Sequence, residues 1–217
     1  MDTLKNRVVN FTIDNFTLEG NLTLPDGTHG LIIFAHGSGS SRFSPRNNYV
    51  ATELHKRGFA TLLMDLLTEN EDTDWYKRFD IGLIVSRLTQ IVIEIRKLNE
   101  IQTLPIGLFG ASTGAAASLI AAAKLPIIIA AVVSRGGRPD LAQNILQQVT
   151  APTLLILGGK DFEVIKLNKM AFEKLLCIKQ MEIVPSATHL FDEHGTLEQV
   201  AQLASNWFYK YMRNKNL

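Results

Sequence analysis

The sequence predicts an α/β fold: a mostly parallel central sheet with helices on both faces, preceded by an antiparallel hairpin. Three observations predict it. From residue 31 onward, short continuously apolar runs alternate with segments of helical periodicity, the pattern of a doubly wound sheet. Most of the runs lack the in-and-out alternation of a half-solvated strand, as expected where helices cover both faces. The first 25 residues, by contrast, do alternate, with Val9, Phe11 and Ile13 set against Val8, Asn10 and Thr12, so two short strands joined near Asp14-Asn15 read as a hairpin.

Each element has its own signal. Pro25-Asp26-Gly27 is a turn that ends the hairpin. The apolar strand runs are Leu31 to Ala35, Ala60 to Met64, Ile106 to Phe109, Ile127 to Val133, Thr153 to Leu157 and Met181 to Val184. Ile84, Leu88, Ile91, Ile95 and Leu98 recur at spacings of four and three, one face of an amphipathic helix. Leu197, Val200, Ala204, Trp207, Phe208 and Tyr211 do the same near the end, where Thr196 and Gln199 have the spacing of a capping box. Ser44-Pro45 reads as an N-cap followed by a first-turn proline. With 217 residues, 46% of them hydrophobic and 20% charged, the chain has material for one domain, residues 1–217, and too little for two comfortable ones.

Charge and apolar patterning exclude several function classes. The 22 Lys and Arg nearly balance the 21 Asp and Glu, for a net charge of +1. No excess of either sign draws the chain to nucleic acid or to an acidic membrane surface. The start, Met1-Asp2-Thr3-Leu4-Lys5, is too polar for a signal peptide, and the longest apolar stretch, residues 125–133, is too short to span a bilayer. A cytoplasmic, reducing location is the expectation. Cys177, the single cysteine, cannot form an internal disulfide and reads as a buried structural thiol at the entry to the last strand.

The chemistry is carried by loops that follow strands, because open α/β sheets bind ligands beyond the carboxyl ends of their strands. Gly110-Ala111-Ser112-Thr113-Gly114 stands directly after the run Ile106 to Phe109 and before an alanine-rich helical segment. That is the strand–turn–helix setting of a nucleophile elbow, although a glycine-punctuated turn that merely lets an Ala-rich helix pack closely is the plain alternative. A serine hydroxyl needs a base. His189 follows the last strand and is the candidate, with His194 as its rival; His29 precedes a strand, and His55, beside Lys56 and Arg57, reads as solvated. The base needs an orienting carboxylate, and Asp161 follows Gly158-Gly159-Lys160 at a strand end, with Glu163 second and a helix N-cap role as the bland reading. The order Ser112, Asp161, His189 is that of α/β-hydrolases. Finally, His36-Gly37-Ser38-Gly39-Ser40-Ser41 follows the first buried strand, where esterases hold a backbone donor for the substrate oxyanion. Ser38 and Thr113 are the expected oxyanion-hole N–H donors; the loop lacks the lysine of a P-loop.

These segments, together with Ser134-Arg135-Gly136-Gly137-Arg138-Pro139-Asp140 and Ala187-Thr188-His189-Leu190-Phe191, resemble the dienelactone-hydrolase-like branch of the α/β-hydrolases over nearly the whole chain. The resemblance implies a central sheet flanked by helices, a triad on Ser112, Asp161 and His189, a small-molecule ester or lactone substrate, and no metal or organic cofactor. Dienelactone hydrolase itself uses a cysteine nucleophile where this chain has Ser112, so the namesake's substrate does not carry over. Residues 134–140 leave no room for a lid domain. The acidic insertion 66–78 reads as a mobile loop, the alternative being that it shades one side of the site. Arg42, Arg46, Arg135 and Arg138 fall at the site edge; Arg42 and Arg135 are the candidates for binding an anionic substrate group, against internal pairing such as Arg138 with Asp140.

Overall fold

The computed structural model describes residues 4–212; the first three residues of the polar start lie outside them. Eight strands form one sheet in the order β1-β2-β4-β3-β5-β6-β7-β8. The strands β1 (Lys5–Ile13) and β2 (Phe16–Leu24) make the antiparallel hairpin. Its turn is Asp14-Asn15, with φ of 50° and 67°, a left-handed turn that follows strand twist and that Asp and Asn tolerate. Beyond β2, which pairs antiparallel with β4 (Ala60–Met64), the strands β3 (Leu31–Ala35), β5 (Ile106–Ala111), β6 (Ile129–Arg135), β7 (Thr153–Gly158) and β8 (Lys179–Val184) are all parallel.

The continuously apolar runs serve two cores at once, because successive strand side chains point to opposite faces. Ile32, Phe34, Phe109, Val133 and Ile156 pack under α1 (Pro45–His55) and α7 (Thr196–Met212). Ile33, Leu108 and Val132 pack under α4 (Ile81–Ile95) and α5 (Thr113–Lys124), with Ala171 of α6 (Phe162–Lys174) joining them. Leu88, Ile91 and Ile95 of the amphipathic stripe on α4 are fully buried.

Three expectations need correcting. The run Ile127 to Val133 starts as a turn: Ile127 is 98% exposed, and the strand runs from Ile129 to Arg135. Apolarity cannot tell a turn residue after Pro126 from a strand residue; the Ile128 and Ile129 N–H groups both donate to Leu125 O. Thr196 is the first helical residue of α7, and its hydroxyl donates to Glu193 O at 2.6 Å instead of capping the helix. The insertion 66–78 is not a loose loop. It forms α2 (Glu69–Asp72), closed by a Thr68–Glu71 capping box, and α3 (Trp75–Arg78), capped by Asp74. Its Glu71 is buried against Arg87 of α4, a partner sixteen residues away that local composition does not reveal.

Two features place the site. Strands β4 and β5 flank β3 on opposite sides, so the switch point of the sheet lies at the carboxyl ends of β3 and β5. Between β6 and β7 the chain makes only short 3₁₀ turns over Pro139–Gln148, and among the described residues no lid is inserted there. Among the described residues, no helix is long and apolar enough to cross a membrane.

Candidate active site

Ser112 joins β5 to α5 with φ 51° and ψ −120°, a conformation costly for a residue with a side chain. In a turn that merely joined two elements, a glycine would take this position at less cost. Here the strain falls on serine, and the glycines stand where space demands them. A β-carbon at Gly110 would lie 2.4 Å from Ala115 Cα, and one at Gly114 would lie 2.2 Å from Ala35 O and 2.5 Å from His36 O. The elbow is held on both sides: Ser112 N–H donates to Arg135 O at 3.2 Å, and Ser112 O accepts from Arg138 N–H at 3.0 Å.

His189 and Asp161 meet across the loops that follow β8 and β7. His189 Nδ1 lies 2.6 Å from Asp161 Oδ2. Asp161 is the residue at the N-cap of α6, yet its side chain makes no capping bond; its carboxylate is turned to the histidine instead. With Nδ1–H donated to Asp161, a neutral imidazole presents Nε2 as a proton acceptor. The ring faces Gly136, where a β-carbon would lie 3.5 Å from Nδ1 and from Cε1. Gly136 is one residue beyond the carbonyl that receives the Ser112 N–H, so the 135–136 segment brings Ser112 and His189 to one end of the sheet. Glu163 and His194, the rivals, are exposed. His29 packs edge-on against Phe59. His55 is half-buried and bonded to Thr61 Oγ1 at 2.7 Å. Burial lowers its pKa, and the basic neighbours in sequence concealed this.

The third loop leaves β3. A β-carbon at Gly37 would lie 3.0 Å from Ser112 Cβ and 3.7 Å from its Oγ, so this loop passes directly over the nucleophile candidate. Ser38 N–H donates to Thr113 Oγ1 at 3.0 Å, and Ser38 Oγ, 3.0 Å from the same hydroxyl, donates to Arg78 O at 2.7 Å. His36 is buried, and burial holds its pKa below the usual histidine range, against the Gly37 carbonyl that pulls the other way. Its Nδ1–H donates to Gly37 O at 2.9 Å, and Nε2 accepts from Leu66 N–H at 3.3 Å. A carbonyl and an amide as partners fix this tautomer. The supporting roles of His36, Thr113 Oγ1 and Arg78 have no signal in sequence spacing.

The arginines at the edge divide. Arg42 is tied to Asp65 and Glu19, and Arg138 to Asp140 at 2.8 and 2.9 Å. Arg46 pairs with Asp192 at 3.1 Å. Arg135 is buried, with a long 3.5 Å bond to Asn47 Oδ1 and Phe191 beneath its guanidinium; burial, with Arg46 adding to it, pulls its pKa down to about 10. Cys177 is half-buried, its Sγ 3.7 Å from Thr153 Oγ1, and burial raises its pKa.

The sequence model of the dienelactone hydrolase family matches residues 18–211. The chain belongs to that family. A crystal structure of dienelactone hydrolase from Anabaena variabilis shares 50% identity and superposes with a TM-score of 0.93, covering 97% of this chain and 99% of that one. Est1E from Butyrivibrio proteoclasticus, at 18% identity and a TM-score of 0.80 over 94% of this chain and 98% of its own, shares the fold. A Mycobacterium tuberculosis H37Rv protein carrying a phosphoribosyl transferase name is 52% identical over 193 residues, 89% of this chain. Those residues are 44% of the relative, so the chain spans less than half of that protein. As a member of the dienelactone hydrolase family the chain has the α/β-hydrolase fold.

Proposed function

We propose that this hydrolase cleaves a carboxylic ester or lactone through an acyl-enzyme on Ser112. The observation that carries the reading is the strained serine between β5 and α5, with the His189–Asp161 pair at 2.6 Å at the same end of the sheet. Ser112 Oγ attacks the substrate carbonyl carbon while His189 Nε2 takes the hydroxyl proton. The imidazolium, held by Asp161, returns that proton to the leaving alkoxide. Water then attacks the acyl carbon by the same route and releases the acid. The Thr113 N–H at the start of α5 and the Ser38 N–H are the oxyanion donors in this reading, each worth about 100- to 1,000-fold in rate. Ser38 N–H donates to Thr113 Oγ1 at 3.0 Å, and in this reading it shares that bond with the oxyanion.

Arg135 is the arginine assigned to an anionic group on the substrate, since Arg42 and Arg138 have carboxylate partners and Arg135 makes no ion pair among the described residues. Replacing it with methionine lowers kcat/KM for anionic esters more than for neutral ones of the same shape; an unchanged ratio refutes the assignment. The substrate is a small molecule, and the protein works in the cytoplasm. The test of the whole reading is fluorophosphonate labelling of wild type and Ser112→Ala. Labelling lost in the variant supports it; a folded wild type that does not label removes it and leaves a cleft used for binding.

A further inference from the structure

The insertion 66–78 touches the loop over Ser112 at two points and is itself anchored by a buried charge pair that the proposed chemistry does not use. Leu66 N–H donates to His36 Nε2 at 3.3 Å, and Arg78 O accepts from Ser38 Oγ at 2.7 Å. These contacts hold the two ends of the His36-Gly37-Ser38 segment. The insertion's own bonds, the Thr68–Glu71 box and Arg78 to Asp72 at 3.1 Å, join α2 to α3 without tying either to the core. Helices α2 and α3 are four residues each, far below the length at which a helix is stable alone. The anchor is Arg87, 1% exposed on the core face of α4. Its Nη1 donates to Leu66 O at 3.0 Å and to Glu71 Oε2 at 2.6 Å, and its Nη2 to Glu71 Oε1 at 2.8 Å. Glu71 Oε2 also accepts from the N–H and the hydroxyl of Thr68, both at 3.0 Å. A buried ion pair is a poor investment in stability compared with apolar side chains of the same volume. What it supplies here is direction, because the planar guanidinium and the carboxylate fix each other in two bonds.

We propose that Arg87 and Glu71 are positioning residues for the oxyanion loop, acting through Leu66 on His36 and through α3 on Ser38. An oxyanion donor has to stand within a few tenths of an ångström of its place to act. A side wall held only by surface contacts would not keep it there. For its effect on rate, the proposal rests on the oxyanion role of Ser38 given above.

The test compares wild type with Glu71→Gln, a near-isosteric change, with Arg87→Lys, which keeps the charge and removes the planar fork, and with the double variant Glu71→Leu/Arg87→Met, which replaces the pair by apolar packing. Amide hydrogen exchange over residues 36–39 is the readout that does not need turnover. It should rise at least 10-fold in the folded variants, while exchange in β5 and α5 stays at the wild-type rate. With an aryl acetate as substrate, kcat should fall about 10- to 100-fold with KM within twofold. Affinity for an aryl boronic acid, which mimics the tetrahedral oxyanion, should fall in step with kcat. A folded double variant with wild-type exchange at 36–39 overturns the proposal, and so does wild-type boronate affinity alongside an intact Ser112 label. A wild type that exchanges slowly at 36–39 but neither labels nor turns over keeps the clamp and removes the hydrolase reading instead.

Discussion

Gly114→Ala places one methyl group between the elbow and the oxyanion loop, and its consequence can be worked from distances. The new β-carbon would lie 2.2 Å from Ala35 O and 2.5 Å from His36 O. Both obstacles are backbone, and a β-carbon needs at least 3.0 Å, so the end of β3 and the elbow must part by about 0.8 Å. Neither side yields readily: β3 is hydrogen-bonded between β4 and β5, and His36 is tied to Leu66. Overpacking of this kind costs about 1–3 kcal/mol of stability. The displacement acts on the segment over Ser112, where a misplacement of about 1 Å costs on the order of 100-fold in rate. The assay is kcat/KM on an aryl acetate, with thermal unfolding in parallel and Gly27→Ala as control. Gly27 has φ +69° and no atom within 4 Å of a β-carbon, so that change carries the backbone cost of about 1–2 kcal/mol and leaves the rate alone. A folded Gly114→Ala enzyme with wild-type kcat/KM would refute the claim that elbow and loop are packed against each other to fix the reacting geometry.

Further outcomes follow from the same contacts. Asp161→Asn should lower kcat about 10⁴-fold by favouring the wrong histidine tautomer, while Glu163→Gln changes it less than twofold; equal effects of the two would return the assignment to Glu163. Glu71 titrates at about 2 instead of 4.5, chiefly because Arg87 hydrogen-bonds its ionised form. A depressed folded-state pKa means stability that is present above pH 4.5 and lost as the pH falls toward 2. Urea midpoints measured across that window should therefore drop more steeply for wild type than for Glu71→Gln, and parallel curves would contradict the buried pair. Cys177, with its thiol pKa raised by burial, should react with iodoacetamide at pH 8 at least 10-fold more slowly in the native protein than after unfolding in urea, because the thiolate is the reactive form.

Much of the molecule was legible in the chain because local chemistry decides it. Apolar runs named five buried strands, since a strand covered on both faces cannot alternate; the sixth, Met181 to Val184, is the edge strand β8, interrupted by Glu182 and buried only at Val184. Gly110-Ala111-Ser112-Thr113-Gly114 named the elbow, since only small residues let β5 and α5 pass so closely. Asp14-Asn15 named the hairpin turn through its tolerance of positive φ. Tertiary structure decided what depends on partners far apart in sequence. It turned Asp161 from a possible helix cap to a bond with His189, 28 residues away. It separated Arg135, which makes no ion pair among the described residues, from Arg42, which Asp65 and Glu19 occupy. It also ordered residues 66–78, whose acidic composition reads as solvated until Arg87 is seen to bury Glu71. Composition records which charges a segment carries, but pairing and burial depend on where the fold brings the other chain segments, and those two terms govern what each charge does.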